Sequence, residues 1–503
     1  MNPLKKLAGE TAIYGISSIL ARMLNFLLVP IYTGYLVPAE YGIVTELYAY
    51  VAFLNVVYTY GMETAYFRYA SSKDHGEGWV YNNTLTLITL SSIALSVTIS
   101  LLATPIVDYL GYPGREHYVY WFSAILAIDA IVAIPFAKLR REKKPVQFAT
   151  AKIINISLTI FLNLFFIVFC REVAEGNFLP GLQSFVATFY DPARDVDYIF
   201  LSNLLGNASL FILLWRPISS AKFALQIKVL RPMLIYAYPL IFMGLAGVTN
   251  EMFSRITLKE WLPEGFYPGR SNLAALGIFG ACYKLSIFML LVVQAFRYAA
   301  EPFFFSQAAD KDSPKVFSDV MHYFIIACCL IFLGVSLNLD ILGPLFLRKA
   351  EYLEGIAIVP ILLLANMFLG IYYNLSIWFK LSDKTYYGTW ITVAGAVITL
   401  AFNYLLIPIL GYTGSAITTL ICYFSMTLAC YYYGNKYYFI PYRIPQGLLY
   451  IAGSSMLYYL ASQIDISNQF LATSFHMVVI LAFICFVFIT EKDNFREKEV
   501  EGS

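Results

Sequence analysis

The chain has 503 residues, 59% of them hydrophobic and 13% charged, with a mean hydropathy of +0.66 and a net charge of +2. A soluble domain carries roughly a quarter of its residues as charges, so this composition excludes one, and so small a net charge gives nucleic acid nothing to bind. The class it fits is an all-α polytopic membrane protein.

Runs of about 20 apolar residues, long enough to cross ~30 Å of hydrocarbon as helices, recur fourteen times. The first, 10–35, is interrupted by Arg22 and Asn25 and precedes no small-residue cleavage site, so it is expected to stay attached and not to be removed as a signal peptide. The runs at 40–62, 81–104 and 117–138 follow, and the last of these ends in the basic stretch "KLRREKK" (138–144). Next come 146–170, 196–215, 232–252 and 273–297, then 317–338, 356–378, 386–408, 412–434, 446–463 and 470–490. Prolines inside these runs, among them Pro30, Pro135, Pro239, Pro360 and Pro408, free backbone carbonyls and permit bends.

Orientation follows from the basic residues, which cytoplasmic loops retain. With the N-terminus inside, 22 of the 34 Lys and Arg fall in inner segments and 8 in outer loops, so both termini are expected to be cytoplasmic. The seven cysteines lie nearly all in apolar runs and form no CxxC, and the four histidines show no metal-ligand spacing, so neither a disulfide framework nor a metal site is expected. The 40 tyrosines crowd run ends, as in "YYYGNKYYFIPYR" (431–443), in the manner of interfacial aromatic belts.

The two halves repeat one another. Setting "YGIVTELYAYVAF" (41–53) over "LGIFGACYKLSIF" (276–288) matches Gly42 with Gly277, Ile43 with Ile278, Tyr48 with Tyr283 and Phe53 with Phe288. A second pair, "TIFLNLFFI" (159–167) over "TLAFNYLLI" (399–407), aligns Thr159 with Thr399, Asn163 with Asn403 and Ile167 with Ile407. Run 2 thus matches run 8 and run 5 matches run 11. An even number of helices per copy gives two parallel repeats, a plan found among transporters. The expected organisation is an N-lobe at 1–220, a C-lobe at 221–440, and two further helices with a cytoplasmic tail at 441–503.

Four features resemble a known family: the Arg within the first run, the "PAEYG" turn into the second, the "ETAYFRY" exit, and "LGIFGACYKLSIFMLLVVQAFRYAAEPFFF" (276–305). Together with the opening 4–69 they are similar to Wzx-like polysaccharide flippases, a branch of the multidrug/oligosaccharidyl-lipid/polysaccharide exporter superfamily. The resemblance implies two six-helix lobes around a central cavity, plus two C-terminal helices, working by alternating access. It implies as cargo an undecaprenyl-pyrophosphate-linked oligosaccharide, moved to the periplasmic leaflet of a bacterial inner membrane. Surface polysaccharide polymerases and glycosyltransferases would then be neighbours in the pathway, and no organic cofactor is implied.

A pyrophosphate crossing hydrocarbon needs cationic partners, and a charge at the bilayer centre costs ~2.5–3.5 kcal/mol on insertion scales, so each one present calls for a reason. Arg22, Asp129 and Lys284 lie near mid-run, Lys152 and Arg297 nearer the cytoplasmic ends, and Glu46 nearer the outside. Lys284, Arg22, Lys152 and Arg297 are the candidate cargo contacts; Asp129 and Glu46 are candidates for coupling to Na+ or H+. Structural roles stand beside each of these: an ion pair of Arg22 with Asp129, a salt bridge of Lys284 with Glu46, pairing of Arg297 with Glu301, and snorkelling of Lys152 to the headgroups. A cation exporter of the same superfamily would line its cavity with acidic and aromatic groups in place of these cations. An enzyme such as a polymerase or glycosyltransferase would be expected to display a large catalytic outer loop, and the longest outer loop, 171–195, is short and lacks a paired constellation. The phosphate loop GxxxxGK[ST] of a nucleotide-driven pump is absent from the sequence.

Overall fold

The computed structural model describes residues 19–20, 22–70, 77–307 and 313–501, and every regular element among them is helical. In chain order these are α1 Val29–Tyr35, α2 Pro38–Thr59, α3 Met62–Ala70, α4 Glu77–Leu101, α5 Ala103–Leu110, α6 Glu116–Arg141 and α7 Pro145–Asn163. A π-helical turn Leu164–Cys170 extends α7, followed by α8 Asp195–Leu213, α9 Ile227–Trp261, α10 Asn272–Leu285 and α11 Ile287–Gln307. The remainder holds α12 Ser313–Ser336, α13 Leu339–Phe346, α14 Ile358–Leu375, α15 Ile377–Leu381, α16 Tyr386–Leu410, α17 Tyr412–Tyr437, α18 Ile444–Ser462 and α19 Gln469–Glu501.

Among the described residues twelve helical stretches are long and apolar enough to cross a membrane, so the chain is a multi-pass membrane protein. They coincide with the second to twelfth and the fourteenth of the expected runs. Much of the first run lies outside the described residues, and the thirteenth is present as α18, whose Pro445, Gln446, Ser454, Ser455 and Ser462 dilute its apolar character.

Two compact units divide the chain, 1–280 and 281–503. In the first, α2 packs on α6 and α9, α4 on α6, and α8 on both α6 and α7, around buried Tyr58, Met62, Tyr66, Tyr81 and Met233. Lipid tails are as apolar as leucine, so close approach of small residues and interhelical polar contacts must do what burial from water does elsewhere. Gly206 shows this: a Cβ there would stand 2.0 Å from Thr159 Oγ1, so α8 can approach α7 only at a glycine. The repeat gives a second case. A Cβ on Gly42 would stand 2.1 Å from the Leu273 carbonyl oxygen, and one on Gly277 1.8 Å from that of Pro38, so α2 and the start of α10 cross at glycines that the repeat makes equivalent. Gly280, one turn on, meets Thr45 Oγ1 in the same way, and 45 and 280 are again equivalent positions.

In the second unit α14 and α16 pack on α17, and α12 on α18. The run at 273–297, expected as one helix, is broken at the buried Ser286 into α10 and α11. The Ser286 hydroxyl donates to the Tyr283 carbonyl (2.7 Å) and accepts from Asn366 Nδ2 (3.0 Å), so a local side-chain bond displaces a turn of the helix ladder.

Candidate functional site

Helical periodicity brings polar side chains from five helices of the first unit to one cavity of about 770 Å³. On α6 the lining positions are Asp129, Val132, Ala133, Phe136 and Arg140, and on α7 they are Phe148, Lys152 and Asn155. Spacings of three, four and seven put each set on a single helix face. Asn55 and Thr59 of α2 and Asn207 of α8 complete the polar wall, with Glu63 of α3 at one end. Asp129 and Arg140 are eleven residues apart, so along α6 the cavity extends about 16 Å, from mid-helix toward the "KLRREKK" end.

Inside it the groups form a graded chain. Asn155 Nδ2 donates to Asn207 Oδ1 (3.3 Å), and Asn207 Nδ2 donates to Asp129 Oδ1 (3.0 Å). Lys152 is the cation that acts on Asp129 electrostatically, yet the two do not form an ion pair within 4.0 Å; the Lys152 ammonium rests over the Phe136 ring, 4.5 Å from its centroid. At the far end Arg140 is ion-paired with Glu63 and lies over Phe67 (5.0 Å). Chemically this is a cavity with two positive groups, two carboxylates, of which Glu63 is paired with Arg140 and Asp129 is bound directly only by an amide among the described residues, and amides that donate or accept as required.

Of the residues singled out from the sequence, the structure brings Asp129 and Lys152 together here. Arg22 is exposed, and the groups acting on Asp129 are Asn207 and Lys152. Lys284 is exposed near the end of α10, two residues before the break at Ser286. Arg297 is exposed with its guanidinium 5.0 Å from the centroid of the Tyr373 ring, and its pairing with Glu301 lies outside the described side chains. Glu46 is fully buried away from the cavity: Lys259 Nζ donates to Glu46 Oε1 (2.9 Å), to Glu46 Oε2 (3.2 Å) and to the Leu110 carbonyl (2.7 Å), and Tyr112 donates its hydroxyl to the same carboxylate. Burial, and after it the Glu46 charge, push the Tyr112 phenol well above its usual range, so it remains a donor.

Sequence reasoning missed Lys259, Arg140, Glu63, Asn155 and Asn207. Lys259 lies 213 residues from Glu46, which no local pattern reveals. Asn155, one turn after Lys152 on an apolar helix, was a readable signal. A third cluster, in the second unit, was equally hidden. His322 Nε2 lies 2.7 Å from Glu491 Oε1, Tyr450 donates to Glu491, and Arg443 donates to Asp319 (2.8 Å), tying α12, α18 and α19 together.

Comparison with known proteins adds to this geometry. Residues 33–173 match the family model described as polysaccharide biosynthesis protein. The fold is similar to that of the lipid II flippase MurJ in an inward closed conformation, with a TM-score of 0.72 at 13% identity, over 96% of this chain and 100% of that one. The chain has the fold of the multidrug/oligosaccharidyl-lipid/polysaccharide exporter superfamily. An inward-facing multidrug resistance MATE transporter of that superfamily aligns with a TM-score of 0.60 at 13% identity, over 86% of this chain and 96% of its own. A mutant of the Vibrio cholerae MATE transporter VcmN gives 0.58 at 14%, with the same coverage. No curated protein matches the sequence. The family model overlaps the resemblance read at 4–69 over residues 33–69, and the fold agrees with it across the chain.

Proposed function

We propose that the protein is a flippase that carries an undecaprenyl-pyrophosphate-linked oligosaccharide from the cytoplasmic to the periplasmic leaflet of a bacterial inner membrane, for surface polysaccharide assembly. The observation that carries this reading is the polar cavity with Lys152 and Arg140 on its wall, set among membrane-spanning helices. The polysaccharide family match over 33–173 supports the cargo class, and the exporter fold supports alternating access. Both termini are cytoplasmic in this reading, so Arg140 marks the cytoplasmic end of the cavity. The pyrophosphate meets Lys152 there; Arg297 also serves the early part of its path, nearer the cytoplasmic end of its run, and Lys284 and Arg22, near mid-run, serve the later part. In a wet cavity with an effective dielectric near 20, one charge pair at 4 Å is worth ~4 kcal/mol before desolvation. Asp129 is the coupling carboxylate for Na+ or H+, placed so that cargo drawing Lys152 away changes its electrostatic surroundings. Glycosyltransferases make the substrate and a polymerase consumes it.

The MATE likeness supports a second reading, a cation exporter using Asp129, but Lys152 and Arg140 in the same cavity would repel such a cargo.

Charge substitution separates the two. Export of the lipid-linked glycan should survive Lys152→Arg and Lys284→Arg, drop strongly in the alanine variants and vanish in the glutamate variants, while detergent-solubilised protein keeps its melting temperature. Wild-type export by stable Lys152→Glu and Lys284→Glu proteins would refute the cationic path; uptake of a fluorescent organic cation by them would establish the exporter.

A further inference from the structure

A second cavity, of about 510 Å³, lies in the first unit between α2, α4 and α6, roofed by α5. Its walls are apolar: Leu47 and Val51 of α2, Ile99 of α4, and Val119, Phe122 and Leu126 of α6. Three of the five hydroxyls along it are engaged elsewhere, the other two being those of Tyr50 and Tyr109. Tyr112 donates to Glu46, Tyr118 to Asp197 (2.7 Å), and Ser123 Oγ to the Tyr120 carbonyl (2.9 Å). Water entering here finds almost no partner, and dry apolar space of this size is rare in a packed interior. The rim is not sealed, because Leu102 is 51% and Tyr109 82% exposed. Three of the walls are helices that span the membrane, so what borders that rim is hydrocarbon.

We infer that this cavity is a binding site for one acyl chain of a membrane phospholipid. Volume selects the chain. At roughly 30 Å³ for a group the size of water or a methylene, the space takes on the order of 17 carbons, the length of a single fatty acyl tail. A polyprenyl tail of eleven isoprene units would seat only about a third of its length here and leave the rest beyond the open rim. The roof is pinned from above. Lys259 Nζ holds the Leu110 carbonyl at the end of α5, and the Tyr112 amide holds the Val107 carbonyl (2.7 Å). A chain seated beneath α5 therefore packs against an element that the buried Glu46 and Lys259 pair fixes. The Lys259 charge is spent on Glu46, so the site reads the tail and shows no strong preference for an anionic headgroup. The inference rests on the membrane fold and not on the identity of the cargo.

The test uses the full chain in phospholipid vesicles containing a phosphatidylglycerol with a diazirine at the end of its palmitoyl chain. Photolabelling should concentrate on peptides covering 47–54 and 119–126 and be competed by unlabelled palmitoyl phosphatidylglycerol and phosphatidylethanolamine alike. Val51→Trp, which fills the cavity, should cut that labelling about fivefold, whereas Val97→Trp, on an exposed face of α4, should leave it unchanged. Ile99→Trp serves as the second filling variant should Val51→Trp fail to fold. Labelling spread evenly over exposed helix faces, or unaltered by both filling variants, would overturn the site. Displacement by undecaprenyl phosphate but not by palmitoyl lipids would overturn the choice of chain.

Discussion

Removing the ammonium of Lys259 should be one of the most damaging single changes in the first unit, although Lys259 lines neither cavity. Glu46 is fully buried and Lys259 nearly so, with 19% of its side chain exposed. Lys259→Met keeps the volume of the side chain and deletes three donated hydrogen bonds, two to Glu46 and one to the Leu110 carbonyl. What remains is a buried carboxylate with a single tyrosine donor, and breaking one side of a buried pair costs ~3–5 kcal/mol. Glu46→Gln leaves the reciprocal ammonium, which is closer to solvent and still has Leu110, so ~1–3 kcal/mol is the scale there. The double variant lacks both charges and should recover most of the loss, because paired ions replaced by neutral groups of like volume are often close to neutral in stability. A double-mutant cycle on melting in detergent should therefore return a coupling of ~2–3 kcal/mol. Singles that add without coupling, or a double variant less stable than either single, would refute the reasoning.

Topology and coupling give two further tests. Lys143→Cys and Gly181→Cys should react with an impermeant thiol reagent from opposite sides of the membrane, the former only after permeabilisation; labelling of both from outside would undo the orientation read from the basic residues. Asp129→Asn should leave the protein inserted and stable, since the amide can still accept from Asn207, while transport in vesicles loses its dependence on an imposed Na+ or H+ gradient. Unchanged gradient dependence would make Asp129 structural.

The helices were legible because lipid imposes length and apolarity together, and the runs from 40–62 to 412–434 reappear as overlapping spans, with 273–297 broken at Ser286 and its span shifted to Ile287–Phe305. The repeat was legible for a different reason: Gly42 and Gly277 carry backbone-to-backbone crossings that admit no side chain, so the sequence could not drift there. The break at Ser286 was not legible, because a serine inside an apolar run looks no different whether it bonds its own turn or a neighbouring helix. The cavity was half legible. Asp129 and Lys152 stand out as charges in apolar helices, but their neighbours Asn155 and Asn207 meet across 52 residues, and amides cost too little to draw notice. Glu46 was visible as an intramembrane charge, a candidate for coupling or for a salt bridge, but its partner Lys259 was not, because that partner is set by how α9 packs on α2.

The charged groups of the first unit are handled in two ways, and the difference is what favours the Asp129 and Lys152 cavity as the proposed working part. Toward the ends of the spans three buried carboxylates are gripped from several sides: Glu46 by Lys259 and Tyr112, Asp197 by Arg115 (2.9 Å), His117 (3.1 Å) and Tyr118, and Asp195 by Arg171 and Tyr190. Such clusters are satisfied in place, so a ligand ion would have to break more bonds than it makes. In the middle, Asp129 takes its direct hydrogen bond from a neutral amide, and Lys152 settles on an aromatic face and not on the carboxylate that attracts it. In the proposed flippase, an anion that passes the Arg140–Glu63 pair would reach a Lys152 ammonium held in no salt bridge of its own, and a cation would reach Asp129 on the same terms once Lys152 turned away. Opposite charges kept apart in a roomy polar cavity forgo the stability of a closed pair, and under that reading the deficit would leave them free to exchange partners during transport.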